Sequence, residues 1–256
     1  MTSLHWGYWK NRDAINLENL KKAQTHYTKK LAKMIPDDVR QILDVGCGIG
    51  DNASYLVDKG YDLTCISPEV KHQAAIRKIV NGQAAFQLTG IEDYSYTGEF
   101  DLALMSESSN YFDADIGFTK LQNLVRKEGY ILSASIFRRA PTKQYLSFHI
   151  ENDWVASAKA HGFEVVERID ITEQALPNVA LMKSIVSTYI IPSAELFGKY
   201  VSGSKGIKAR TGSFFLNPSI KHMVDFFNNG YGGQMSNPDL FRKHASYIFY
   251  LLKNNS

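Results

Sequence analysis

The stretch Gln41-Ile42-Leu43-Asp44-Val45-Gly46-Cys47-Gly48-Ile49-Gly50-Asp51-Asn52 decides the reading of this 256-residue chain. A short apolar run opens into a loop with glycine at every second position. Asp51-Asn52 then supplies an N-cap signal for a helix that Gly60 ends. This is strand, glycine turn, helix. Outward from it the rhythm repeats, with strands expected over 61–66, 84–88, 100–105, 129–137 and 163–169. Helices are expected between them over 69–80, 118–126 and 154–160. Such alternation implies βαβ units and an α/β, doubly wound, largely parallel sheet. An isolated apolar tail, 246–252, reads as a seventh, antiparallel strand returning to that sheet.

The flanks divide the chain further. Residues 13–35 have helical spacing and Pro36 stops them, so 1–36 reads as an N-terminal helical lid segment. The core domain is expected over 37–170 with 244–256. Between its two last strands, taken as edge strands, 171–243 reads as an inserted helical cap with helices over 177–191 and 218–228. An insertion there can roof a crevice at the carboxyl ends of the strands.

Composition excludes other classes. Hydrophobic residues at 44% and charged residues at 21% exclude wholesale disorder. A net charge of +3, from 29 basic and 26 acidic side chains without a charged block, gives no support to nucleic-acid or membrane binding. The basic stretch Lys199, Lys205, Lys208 and Arg210 reads as a solvated loop. Two cysteines cannot build a disulfide framework or a four-ligand zinc site, and no metal site is expected. The opening MTSLHWGYWK lacks the apolar core of a signal peptide, and no apolar run approaches the ~20 residues of a membrane span. The expectation is a soluble, cytoplasmic protein.

Two ligand classes use such a glycine loop. Gly48-Ile49-Gly50-Asp51-Asn52-Ala53 satisfies the dinucleotide pattern G-x-G-x-x-A, with Glu69 about where a ribose-binding acid is sought. Asp44 points the other way, because a carboxylate ahead of the loop repels a pyrophosphate and suits a ligand carrying an amino group and a sulfonium. Asp44-x-Gly46-x-Gly48-x-Gly50 resembles the first motif of class I S-adenosylmethionine (SAM) dependent methyltransferases.

Further motifs extend the resemblance over about 5–170. Phe100-Asp101 followed by apolar residues and Glu107-Ser108 looks like the fourth-strand motif of small-molecule members. Leu124 to Leu132 resembles the entry to their fifth strand. His5-Trp6-Gly7-Tyr8-Trp9 resembles the N-terminal box of sugar O-methyltransferases of antibiotic pathways and tocopherol-type methyltransferases, as does Ile66-Ser67-Pro68. The resemblance implies a Rossmann-like seven-stranded fold with SAM as cofactor. It implies cofactor contacts from Tyr8, Asp44, Gly46, Cys47, Gly48, Gly50, Ile66, Ser67, Gly90, Ile91, Glu92, Met105 and Ser106, and catalytic roles for Glu107, Tyr111 and His5. There are departures: Gly90 stands where an acid often precedes the adenine contact, and Asn110-Tyr111 where relatives often carry a histidine base.

Methyl transfer asks the protein to orient, desolvate and, where needed, remove a proton. Glu107 reads either as base or ligand or as an anchor of its loop, and Tyr111 as orienting the acceptor or as packing. His5 reads as part of a lid over the sulfonium, Cys47 as a small residue beside the cofactor, and His149 and His222 as surface or core. Aromatics such as Tyr189, Phe197, Tyr200, Phe214, Phe215 and Tyr231 in the expected roof suit a small apolar or aromatic acceptor, natural-product-like, methylated on N, O or C. Alternatives are a SAM-binding cyclase of the same fold that does not methylate, an NAD-dependent oxidoreductase, and a scaffold.

Overall fold

The computed structural model describes residues 3–11, 13–203, 221–222, 224–227 and 230–256. The expected helix over 218–228 lies partly outside these residues; Lys205, Lys208, Arg210, Phe214 and Phe215 lie wholly outside.

Glycine and apolar patterning place the strands β1 (Gln41–Val45), β2 (Asp62–Ser67), β3 (Ala85–Leu88), β4 (Phe100–Ser106), β5 (Val125–Arg138), β6 (Phe163–Asp170) and β7 (Ala245–Asn254). They form one seven-stranded sheet in the order β3-β2-β1-β4-β5-β7-β6. The first five are parallel, with Leu43 of β1 opposite Thr64 on one side and Ala103 on the other. β7 runs antiparallel to both neighbours, with Leu251 opposite Leu132 and Phe249 opposite Ile169. The return strand is therefore expected in kind but not in place. It threads between β5 and β6, leaving β6 alone at that edge, because nine of its ten residues are buried and suit two neighbours rather than one.

Helices α1 (Leu17–Ala32), α2 (Asp51–Asp58) and α3 (Val70–Val80) precede α4 (Ala114–Leu124) and α5 (Glu151–Ala160). One core packs Tyr27, Leu31, Leu56 and Ile76 against Phe241, Tyr247 and Phe249 on one face of the sheet. The other packs Phe118, Phe137, Trp154 and Phe163 on the opposite face. Helix α4 stops at Leu124, two residues before the expected end, because Val125 already pairs with Phe100. The register then shifts between Phe100 and Leu102, and Glu128 at φ 61° turns the chain back into β5. Asp101 of the fourth-strand motif has a structural duty at the far end of β4. It accepts from the Arg40 and Gln41 amides at 2.7 and 2.8 Å and from Arg126 Nε at 2.7 Å.

After β6 the chain is helical sooner and longer than expected. Helix α6 (Thr172–Ile185) runs through a π turn (Val186–Ile190) into α7 (Ile191–Gly203). Against the expectation that no segment suits a membrane, the helical run Thr172–Phe197 is long and apolar enough to cross one by length and composition.

The N-terminal segment is extended over its aromatic box and strapped to α1 and α6. The Tyr8 amide donates to Ala23 O at 2.8 Å, and the Trp9 amide to Gln174 O at 3.0 Å. Asn178 accepts from the Gly7 amide at 2.9 Å and from Trp9 Nε1 at 3.1 Å, and donates to Gly7 O at 2.8 Å. Gly7 is required by this approach: a Cβ there would stand 2.5 Å from Ala23 Cβ and 3.1 Å from the Ala23 carbonyl carbon. Gly7→Ala should therefore destabilise the strap by about 1–3 kcal/mol of overpacking. Limited proteolysis near Trp9 should quicken in that variant; an unchanged cleavage rate and melting temperature would contradict the packing argument.

Candidate functional site

The loop after β1 turns through three left-handed glycines, Gly46, Gly48 and Gly50, at φ 74°, 56° and 91°. The Gly46 and Cys47 amides both donate to Ile66 O, at 2.9 and 3.1 Å, which ties the loop to the end of β2. A Cβ on Gly46 would strike Ser108 Cβ at 2.5 Å, whereas one on Gly48 would meet only Leu4 Cδ1, at 3.6 Å. Gly46 is therefore a packing glycine. Gly48 lines open space.

Three cavities meet at the carboxyl ends of β1, β2 and β4, where open α/β sheets bind ligands. The first, of about 420 Å³, is lined by Gly46, Ile66, Ser67, Glu69, Gly90, Ile91 and Glu92 among others. The second, of about 150 Å³, is lined by His5, Asp44, Gly46, Cys47, Gly48, Asp51, Asn52, Ser106 and Glu107 with Leu4, His72 and Tyr111. The third, of about 500 Å³, is lined by Trp6, Glu107, Asn110, Tyr111, Ser135, Ile136, Ser147, Phe148 and Met235. Glu107 walls the second and third, and Tyr111, 86% exposed on the turn Ser109–Tyr111, walls all three.

Three of the expected cofactor residues do not line these cavities. Gly50 is the N-cap of α2, with its amide on Cys47 O at 3.0 Å. Met105 is 1% exposed in the core beneath the sheet. Tyr8 packs against the α1 side, with Lys30 Nζ 5.6 Å from its ring centroid. Tyr189, Phe197, Tyr200 and Phe226 of the expected roof are exposed; Met235 is the described residue of 171–243 that lines the third cavity.

The electrostatics of the second cavity are set by buried carboxylates. Asp44 is 2% exposed and its Oδ2 has no hydrogen-bond partner among the described residues. Burial, then the Asp51 charge, pushes its carboxyl up to about 7. His5 is buried with Nδ1 2.8 Å from Trp6 O and Nε2 3.2 Å from Asp51 Oδ2. A carbonyl on one nitrogen and a carboxylate on the other call for a proton on both. Burial opposes that charge, but the Asp51 contact, the Asp51 and Glu107 charges and the Trp6 carbonyl outweigh it and raise the imidazole. The ring stacks on Tyr27 at 4.3 Å.

Glu107 sits just past β4 at φ 61°, with its amide donating to Ala134 O at 2.8 Å. Its Oε1 accepts from the Trp6 amide at 2.7 Å and from Tyr247 OH at 2.6 Å. Burial lifts its carboxyl above the usual range even though the His5 charge and both donors pull downward. Behind it, Tyr247 OH lies 3.1 Å from Tyr27 OH, and Ser106 Oγ lies 2.8 Å from Tyr27 OH and 3.0 Å from Asn52 Nδ2. Tyr27, Asn52 and Tyr247 were not expected in the site; in the sequence they read as an ordinary helix face, a cap and a core strand.

Asn110, noted for standing where a histidine is common, has a structural role. Its Nδ2 donates to Ser135 Oγ at 2.8 Å and Ile136 O at 2.9 Å, and its Oδ1 accepts from the His149 amide at 2.8 Å. His149 Nε2 lies 3.0 Å from Ser109 O and 3.1 Å from Phe112 O, so it carries a proton that bridges two carbonyls.

The Asp44 environment has a consequence for stability. Its folded value of about 7 lies above the carboxylate reference of 3.8, so the folded protein holds a proton that the unfolded chain has released between those values. Stability should therefore fall as pH rises across that window, and Glu107 adds to the slope in the same direction. Thermal unfolding from roughly pH 4 to pH 8 should show the decline. Asp44→Asn should flatten it to the part set by Glu107 and His5, which slope the same way, and by Asp51, which slopes the other way; a profile parallel to wild type would contradict the assignment.

Residues 8–168 match the family described as "Methyltransferase domain". A stretch of 121 residues, 42% of this chain, is 26% identical to the "Probable tocopherol O-methyltransferase, chloroplastic" of Oryza sativa subsp. japonica, and spans 33% of that relative's length. Among solved structures, the [4+2]-cyclase SpnF superposes with a TM-score of 0.72 at 16% identity, covering 98% of this chain and 87% of that one. Geranyl diphosphate C-methyltransferase from Streptomyces coelicolor A3(2), in complex with Mg2+, geranyl diphosphate and S-adenosyl-L-homocysteine, superposes with 0.67 at 11% identity, covering 98% and 91%. SAM is the cofactor the family implies, and the residues fit it. The unpartnered Asp44 oxygen suits an ammonium, the bare Gly48 leaves room for a close approach, and the first cavity falls within the ~300–1,000 Å³ of small-molecule sites. By the match over residues 8–168, the chain belongs to the methyltransferase domain family.

Proposed function

We propose that this chain transfers a methyl group from SAM to N, O or C of a small, apolar or aromatic, natural-product-like acceptor held in the third cavity. The observation that carries the reading is the place of Glu107, an ionisable group standing in both the second and the third cavity. When bound, SAM supplies an activated methyl group on a sulfonium.

The chain's own residues do the rest. Asp44 takes the ammonium end through its free Oδ2, with Cys47 and Gly48 leaving space for the ligand backbone. Ser67, Gly90, Ile91 and Glu92 hold the adenosine end in the first cavity. His5, fixed by Asp51, closes the wall of the second cavity from the N-terminal segment 1–36. Glu107 accepts a proton from the acceptor where one must leave, and Tyr111 orients the acceptor at the mouth. The insertion 171–243 serves as a cap through Met235.

A second reading keeps the fold and cofactor but drops methyl transfer. Asn110 is committed to structural hydrogen bonds and His149 does not line the third cavity, and one similar structure is a cyclase. The oxidoreductase reading is weaker, because the Glu69 carboxylate caps the Lys71 amide at 3.0 Å.

Transfer of labelled methyl to a panel of small aromatic and apolar acceptors tests the proposal. Glu107→Gln should lower kcat by about 10²–10⁴-fold, the range of general-base loss. Wild-type kcat should fall on acidification at a pH above the ordinary carboxylate range, since the base works deprotonated and burial raises its proton affinity. Tight SAM binding with no transfer to any acceptor would favour the cyclase.

A further inference from the structure

The third cavity has an uneven chemistry. Its described lining holds one carboxylate, Glu107, and no lysine, arginine or histidine. Three aromatic residues, Trp6, Tyr111 and Phe148, share that lining. Both donors that reach Glu107, the Trp6 amide and Tyr247 OH, fall on Oε1. Among the described residues none donates to Oε2, so that oxygen is left for a donor on a ligand. A half-buried carboxylate among aromatic rings is the arrangement that favours a cationic or donor nitrogen, since ring quadrupoles and the carboxylate both attract positive charge. An anion placed there would meet a like charge with no counter-charge in the wall.

We infer that the acceptor is a nitrogen base, an amine on an aromatic or apolar body held by Glu107 Oε2 among Trp6, Tyr111 and Phe148, and that carboxylate and phosphate acceptors are refused. This deepens the methyltransferase proposal and rests on its assignment of the third cavity to the acceptor. The chemistry balances. An ammonium entering the cavity gives one proton to Glu107 and becomes a neutral nucleophile. As nitrogen bonds to the methyl carbon, the carbon–sulfur bond breaks and its electron pair neutralises the sulfonium. The product leaves as a methylated ammonium, and Glu107 returns its proton to solvent through the open cavity.

The test is calorimetric titration of matched probes into the full chain, alone and saturated with S-adenosylhomocysteine. The probes are phenethylamine, 2-phenylethanol and phenylacetate, with tryptamine, tryptophol and indole-3-acetate as a larger set. Each amine should bind wild type at least about tenfold more tightly than its carboxylate partner, with the alcohol between. Glu107→Gln should shrink the amine–carboxylate ratio to within about threefold while its melting curve stays cooperative. Should that variant fail to fold, the wild-type ranking decides alone. Carboxylates binding as tightly as amines, or no amine binding at all, would overturn the inference. Binding of S-adenosylhomocysteine, read in the same titrations, tests the cofactor assignment separately: its loss would sink the methyltransferase proposal, whereas its presence beside a reversed ranking would sink the acceptor class alone.

Discussion

Two hydrogen bonds on one oxygen tie the two ends of this chain to the middle of the sheet. The amide of Trp6 and the phenol of Tyr247 both donate to Glu107 Oε1, at 2.7 and 2.6 Å. Hydrogen bonds to a charged group each contribute about 1.5–3 kcal/mol, enough to hold a non-glycine residue in the left-handed region, which costs of order 1–3 kcal/mol. Glu107 at φ 61° is such a residue, and its strained turn aims the carboxylate back across the strand ends. The N-terminal strap and the return strand β7 thus form the wall of the site as much as they complete the fold.

The charges on either side follow from burial. Asp44, Asp51 and Glu107 share one small cavity with His5, and the imidazole stands against Asp51 alone at contact distance. Asp51 is held below the usual carboxylate range: burial opposes its charge, but the His5 contact and charge prevail. Asp44 has no such partner and is raised. A cavity in which Asp51 is paired with His5, Glu107 is hydrogen-bonded and Asp44 Oδ2 lacks a partner suits a ligand bearing its own cation, which would relieve the cost of burying Asp44. The proposed cofactor carries that cation.

The sheet was largely legible because β1, β2 and β4 are short, mostly buried and set off by glycine, so period and turn chemistry agree. The glycine loop after β1 was legible for the same reason: Gly46, Gly48 and Gly50 each sit at positive φ. What the sequence hid were contacts between distant residues. Tyr247 reads as one more apolar position in a core strand, yet its hydroxyl sets the Glu107 environment from 140 residues away. The slot for β7 between β5 and β6 depends on two-sided burial, which an apolar run shows without saying which neighbours cover it. Asn110 looked like a missing base because chain position alone cannot show that Ser135 and Ile136 engage its amide. The positions of Met105 and Tyr8 show the converse, since nearness to the site in sequence put neither side chain in it.

The central claim is that the Asp44–glycine loop is built for a ligand with an ammonium and a sulfonium rather than a pyrophosphate. Parallel calorimetric titrations of the purified chain with SAM and with NADH test it most directly. The account predicts saturable, one-to-one binding of SAM in the micromolar range, about 10⁻⁶ M or −8 kcal/mol, and no measurable binding of NADH. Micromolar NADH binding without any for SAM would contradict it.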